Sequence, residues 1–277
     1  MSQFSYDKTL LGHDTDYPRR YAPELLCPLS RHDGRTALGL DAQALPFQGV
    51  DIWTHYEVSW LDALGKPQVA VAEIQVPADS PCLIESKSMK LYFNSLNFER
   101  FPTSADFLDT VTADLSATAG AAVRVRLLWP DDQAAHVVRT LPGRCIDAEI
   151  IQCDAFVLDA SLLRADAGRV VEETLHTHLL RSLCPVTQQP DWGSVMLRYR
   201  GPAIDHAQLL AYVVSYRDHP DFHEQCVERM FMDILRRCAP LELTVYARYT
   251  RRGGLDINPF RSNVPGATVD ALRLFRQ

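Results

Sequence analysis

No stretch of this 277-residue chain is apolar for the ~20 residues a membrane-spanning helix needs. The longest candidate, Cys145–Leu158, is interrupted by Asp147, Glu149, Gln152 and Asp154. The opening residues, MSQFSYDKTLLGHDTDYPRRY, lack the apolar core of a secretory leader, so the expected compartment is the cytoplasm, with no membrane partner. Neither GxGxxG nor GxxxxGKS/T occurs, so any nucleotide must be held without a Rossmann unit or a P-loop. A basic excess is lacking too. With 28 basic against 35 acidic residues the net charge is −7, which argues against direct nucleic-acid binding. Disorder is excluded by a hydrophobic content of 47%. The seven cysteines (27, 82, 145, 153, 184, 226 and 238) form no CxxC pair, so reduced thiols are expected rather than a disulfide scaffold.

What the chain does contain is order. Residues 1–45 are polar and turn-rich without sustained periodicity, which predicts an irregular N-terminal arm. Val50–Trp60 and Gln68–Val76 alternate apolar and polar residues around Gly65-Lys66-Pro67, the pattern of a hairpin. Helical spacing follows over Glu85–Asn97 and Ala105–Ala119, then a β-rich run, Ala121–Trp129, expected to pair with a strand in Ala148–Val157.

The second half repeats the order. Glu172–Leu180 and Gly193–Tyr199 read as strands joined by a long connection through Cys184 and Asp191. Asp205–Arg217 and Phe222–Cys238 read as helices, and Leu241–Arg251 and Leu255–Asn258 as strands about the turn Arg251-Arg252-Gly253-Gly254. Ile84-Glu85…Tyr92…Ser95 superposes on Ile204-Asp205…Tyr212…Ser215 at a spacing of 120, and Phe107-Leu108-Asp109 on Phe222-His223-Glu224. The expected division is an arm over 1–45, a first unit over 46–160 and a second over 161–277. The fold class is α+β, two tandem units of antiparallel sheet with a helix pair.

Four stretches are candidates for chemistry. Cys184 precedes Pro185 in an irregular connection, where a thiol can be reached and activated, with Asp191 seven positions on as an acid; an isolated cysteine is more often a small buried hydrophobe. His223-Glu224 opens a helix, where a carboxylate suits either the helix dipole or the amidine-like edge of a purine or pterin. The residues that follow do not complete HExxH. Glu85-Ser86-Lys87-Ser88-Met89-Lys90-Leu91-Tyr92 sets two lysines and two serines at a helix start, fit for phosphate or simply for capping. Arg251-Arg252-Gly253-Gly254 reads as an ordinary turn or as a phosphate clamp. His176-x-His178 with Cys184 has no further ligand spaced to complete a metal set, so no metal is expected.

Taken together these stretches resemble a known family. Ile84-Glu85-Ser86-Lys87-Ser88-Met89-Lys90-Leu91-Tyr92 is similar to the signature of the NADPH-dependent 7-cyano-7-deazaguanine reductases, the nitrile reductases of queuosine biosynthesis. Ser182–Gly193, Phe222–Cys226 and Tyr249–Pro259 resemble three further family segments, in the family's order.

The resemblance implies a tunnelling fold in its long, two-unit form, acting as a homodimer on a free deazapurine base with NADPH as co-substrate. It implies that Cys184 adds to the nitrile carbon as a thioimide, that Asp191 protonates nitrogen and that His223 donates or positions protons. Ile84, Glu85, Ser86, His223 and Glu224 would hold the base, and Ser86, Lys87, Arg252 and Gly253 the NADPH. The signature lies in the first half and the Cys, Asp and His-Glu sites in the second, so both halves would contribute. Two other readings stand beside it: a zinc-dependent purine or pterin hydrolase like GTP cyclohydrolase, and a non-catalytic purine-binding module.

Overall fold

The structure, a computed structural model, describes residues 17–132, 137–153 and 156–277. The expected absence of a leader and the start of the arm therefore lie outside the described residues. The chain clusters into two compact units: Met1–Gln43, Asp51–Val137 and Arg251–Asp256 form one, and Ala44–Val50, Val138–Thr250 and Ile257–Gln277 the other.

In the first unit, β1 (Pro28–Ser30) and α1 (His32–Ala37) precede a hairpin of β2 (Gln48–Leu61) and β3 (Pro67–Pro77). Asp62 closes its tip by accepting hydrogen bonds from the Leu64 and Lys66 amides, both at 2.9 Å, while Gly65 takes the left-handed conformation at φ 88°. β4 (Cys82–Ile84), α2 (Ser86–Ser95), α3 (Ser104–Ala119) and β5 (Arg124–Leu128) follow. The strand order is β5-β3-β2, with β1 on β4 as a separate pair. α3 starts at a Thr103–Asp106 capping box, stops at left-handed Gly120 and buries Phe107, Val111, Leu115 and Ala119 along one stripe.

The second unit contains β6 (Val138–Arg139), β7 (Arg144–Cys145), a long hairpin of β8 (Ala165–Leu183) and β9 (Pro190–Ile204), α4 (His206–Val214), α5 (His223–Cys238), β10 (Glu242–Tyr249), β11 (Leu255–Ser262) and β12 (Arg273–Leu274). β11 begins in the first unit and enters this one at Ile257. Strand order here is β11-β10-β9-β8-β7, and β12 pairs with β6. α5 buries Cys226, Val227, Met230, Phe231 and Ile234, and its Glu228 meets Arg261 at 2.9 Å, a buried pair with both charges satisfied.

The units repeat one another down to single hydrogen bonds. The Glu85 amide donates to the Cys27 carbonyl at 2.9 Å, and the Asp205 amide to that of Arg164 at 3.0 Å. Pro28 pairs with Ile84 as Ala165 pairs with Ile204. The Leu61 amide donates to Glu99 and the Leu183 amide to His219, both at 2.9 Å. Tyr92 donates its hydroxyl to Asp114 at 2.6 Å, and Tyr212 to Asp233 at 2.7 Å. Ser95 and Ser215 each donate to the carbonyl of that tyrosine at 2.6 Å. Thus β1 with β2 corresponds to the single strand β8, and β3 with β4 to β9.

Several sequence expectations change. The arm is built rather than irregular over Pro23–Ala37, because its backbone completes the pairing of β4. β5 pairs with β3, and among the described residues of 148–157 there is no strand. The second helices align through their caps, Thr103 on Phe222, so Phe107 matches Cys226 rather than Phe222. The long connection around Cys184 shrinks to a tip over 184–189, since β9 already starts at Pro190, where a strand needs no N–H.

Candidate active site

Cys184 sits at the β8–β9 tip. Its amide donates to the Gln189 carbonyl at 2.9 Å, and its carbonyl accepts from the Gln188 amide at 3.0 Å. Gln188 adopts φ 58°, a left-handed conformation that costs a non-glycine residue free energy and tightens the loop. The Thr187 amide points at Cys184 Sγ across 3.5 Å, a donor suited to a thiolate. The thiol is 4% exposed, so the open connection expected from the sequence is in fact a closed turn.

Asp191 lies on β9 opposite Ser182, two rungs from the tip. Period-two alternation puts Cys184, Ser182 and Asp191 on one face, with Cys184 and Asp191 on a cross-strand diagonal of roughly 7–8 Å. Asp191 is 4% exposed and faces His223 Nε2 at 3.4 Å. The opposite ring nitrogen, Nδ1, lies 3.1 Å from the Ile257 carbonyl. A carbonyl only accepts, so Nδ1 carries a hydrogen and Nε2 is the nitrogen turned to Asp191. The imidazole stacks on Tyr249, centroids 3.7 Å apart and planes 7° from parallel, which fixes the direction of Nε2.

Behind this pair lie Ser182, Cys226 and Tyr249, close enough to shift one another's ionisation. Neither the Ser182 nor the Tyr249 oxygen makes a well-formed hydrogen bond among the described residues. Burial pushes both the Cys226 thiol and the Tyr249 phenol well above their ordinary values. Cys226 is a neutral, inert thiol at neutral pH. Glu224 is buried in the first turn of α5, where the dipole favours a carboxylate. The residue before that turn is Phe222, which has no side-chain acceptor. Its amide is taken by Asp221 at 3.1 Å and Gln225 at 3.4 Å.

The first unit gathers the other predicted residues. Glu85 is the N-cap of α2 and accepts from the Lys87 amide at 2.6 Å and the Ser88 amide at 2.7 Å. Only 1% of it is exposed, and burial raises its pKa against those two hydrogen bonds and the nearby Lys90 and Lys87. Ile84, on β4, is buried, while Ser86 and Lys87 are half-exposed at the start of the helix. The Arg251–Gly254 turn belongs to this unit. Gly253 and Gly254 take left-handed conformations, the Gly254 carbonyl accepts from the Tyr56 amide at 2.8 Å, and Arg251 lies over the Tyr56 ring at 4.3 Å. The Lys90 side chain passes within 3.5 Å of the point where a Gly253 side chain would begin.

The structure thus brings Asp191 to His223, and Gly253 to the signature helix. Lys90, one turn beyond Lys87 on α2, was legible as the second lysine of that helix start. Tyr249 escaped the sequence reading of the site, because stacking on a histidine 26 positions earlier has no sequence signal.

Two family profiles match the chain. One described as "Nitrile reductase, 7-cyano-7-deazaguanine-reductase N-term" covers residues 17–127, and one described as "QueF-like protein" covers residues 190–266. A curated protein of Chromobacterium violaceum, the NADPH-dependent 7-cyano-7-deazaguanine reductase, is 52% identical over 271 residues, spanning 96% of each chain.

Proposed function

Because the chain belongs to the 7-cyano-7-deazaguanine reductase family, we propose that it reduces the nitrile of 7-cyano-7-deazaguanine to the primary amine with two NADPH. The observation that carries the chemical step is the pairing of Asp191 with a histidine whose Nε2 faces it while Nδ1 is held by a backbone carbonyl, on the strand pair whose tip bears Cys184.

In this reading the Cys184 thiolate adds to the nitrile carbon, forming a C–S bond as one π bond of the nitrile opens. Asp191 passes its proton to the nitrogen, and the product is a covalent thioimide. His223 Nε2 then supplies Asp191 with the next proton, held on line by Tyr249 and the Ile257 carbonyl. The bound co-substrate contributes hydride, one for the thioimide and one for the imine left after Cys184 is expelled. Four electrons and four hydrogens thereby reach the carbon and nitrogen, and the thiol is regenerated.

Glu85 and Glu224 are buried carboxylates at helix starts, suited to the N–H-rich edge of the base, with Ile84, Ser86 and His223 beside them in the assignment. The fit to NADPH rests on cations beside open backbone. Lys90 flanks Gly253, and Ser86, Lys87 and Arg252 complete the set for its phosphates. The finer fold assignment is the tunnelling fold, with an arm over 1–45 and functional units over 46–160 and 161–277. The working form would be a cytoplasmic homodimer that acts on the free base before it reaches tRNA. The zinc-hydrolase and passive-binder readings are disfavoured, since Asp191, His223 and Cys184 supply acid and nucleophile without a metal.

The test is to mix protein with the nitrile and seek a Cys184 adduct by mass and absorbance, then follow NADPH oxidation. Cys184→Ala is expected to lose the adduct and at least about 10³-fold in turnover. Undiminished oxidation of NADPH by that variant would remove the covalent mechanism.

A further inference from the structure

We propose that Cys145, His176 and His178 form a metal site of the zinc class that fastens the segment around β7 to β8. The sequence pairs His176 and His178 on one strand but offers no third ligand beside them; the structure supplies Cys145 instead. One ligand atom from each of the three lies within 4.8 Å of the others.

Backbone pairing makes the cluster. Cys145 is the register partner of His176 in the parallel β7–β8 ladder, and the Ile146 amide donates to the His176 carbonyl at 2.9 Å. His176 and His178 are two apart on β8, so both imidazoles face the same side, with ring centroids 5.2 Å apart. A register irregularity between Thr177 and Leu180 opens the ladder there. Asp147 fills the gap, accepting from the Thr177 hydroxyl at 2.5 Å and from the His178 amide at 3.1 Å.

The outer contacts are those of a ligating histidine pair. His176 Nδ1 lies 3.0 Å from the Pro142 carbonyl, which only accepts, so that nitrogen carries the hydrogen and Nε2 is left bare. His178 Nδ1 lies 2.8 Å from Ser194 Oγ, which itself accepts from Arg276 at 3.1 Å. Neutral imidazole is the ligating form.

A tetrahedral zinc with one sulfur and two nitrogen ligands spaces those atoms about 3.3–3.6 Å apart. Closing the present spacing, within 4.8 Å, to that value calls for rotation of the exposed Cys145 side chain and a small tilt of the two imidazoles. Binding replaces the Cys145 S–H bond with a zinc–thiolate bond and releases one proton, and water takes the fourth position. The role is structural. β7 has only two residues, and His178 is six residues from Cys184 along β8, about 20 Å of strand.

Cobalt(II) is the probe. One equivalent added to metal-stripped full-length protein is expected to give a thiolate-to-cobalt charge-transfer band and tetrahedral ligand-field bands, both bleached by zinc. Cys145→Ser abolishes the charge-transfer band, and His178→Gln weakens cobalt binding at least tenfold. Zinc raises the melting temperature of the parent and leaves that of Cys145→Ser unchanged. Nitrile-dependent NADPH oxidation stays at the parent rate in the Cys145 variant. A charge-transfer band that survives Cys145→Ser, or a zinc-induced thermal shift equal in parent and variants, overturns the proposal.

Discussion

The two units spend the same backbone on different side chains. Where the first carries Trp60, Phe107 and Trp129, the second carries Ser182, Cys226 and Tyr249 at the matching rungs and helix position. Trp60 stacks on Phe107 with centroids 4.3 Å apart, and Trp129 meets Trp60 edge-on at 6.2 Å. In the second unit two of the three rings give way to the small side chains Ser182 and Cys226, and the third, Tyr249, stacks on His223. The hairpin tips diverge likewise: Asp62 makes an ordinary turn, whereas Cys184 occupies its place under a strained Gln188. The helix starts diverge the other way. Asp205 caps α4 through the Gln208 amide at 3.0 Å in an exposed position, but Glu85 does the same work while buried. Duplication lets one copy keep a stabilising group while its counterpart takes on chemistry, and under the proposed assignment each copy does so at a different place.

The sharpest way to break this comparison is at the acid. Asp191→Asn is expected to lower turnover by about 10²–10⁴-fold, while changing Gln68, its counterpart in the first unit, to Asn leaves turnover alone. Steady-state NADPH oxidation measures both, and comparable losses would show that position rather than chemistry matters. Next comes the aromatic stack of the first unit. Trp60→Ser should cost about 3–5 kcal/mol in urea unfolding, and Ser182→Ala less than about 0.5 kcal/mol. Equal costs would mean that the second unit's polar cluster is structural after all.

A third difference is acid sensitivity. His55 of the first unit, where the second has Thr177, is buried against Phe93 at 4.6 Å, and burial, aided by Lys90, pushes its pKa down to about 4. Between that value and an ordinary histidine near 6.5 the unfolded chain binds the extra proton, so stability is full above about 6.5 and falls as pH drops towards 4. The loss approaches about 3 kcal/mol at the acid end. Glu85, with its raised pKa, contributes in the opposite sense, so the measurement is the difference between parent and His55→Gln as unfolding is repeated across that range. A variant as acid-sensitive as the parent would move the effect elsewhere.

Much of this was legible in the chain. The first hairpin, the strands of the second and all four long helices follow from alternation and spacing, because each is a local pattern of nine or more residues. The Cys184, Asp191, His223 and Glu85 candidates were legible as residue types in turns and helix starts. What escaped was set by partners distant in sequence. β1 is three residues long and owes its existence to β4, and β7 is two residues long and owes its own to β8. Asp191 looked like part of a loop because Pro190 reads as a turn former, although a proline suits the first position of a strand. Glu85 as a cap was hidden by the serines beside it, which fit the usual preference better.

That two separate strands, β1 and β2, stand where the second unit has the single strand β8 has a kinetic consequence. In the second unit, Ala165 reaches Ile204 by zipping along a continuous hairpin, each rung shortening the loop that the next must close. In the first, Pro28 meets Ile84 across 56 positions of chain that include a helix and a separate hairpin. During synthesis the opening residues must wait, unpaired, until the signature itself has left the ribosome. The Glu85 amide, which donates to Cys27, is satisfied only once that wait has ended.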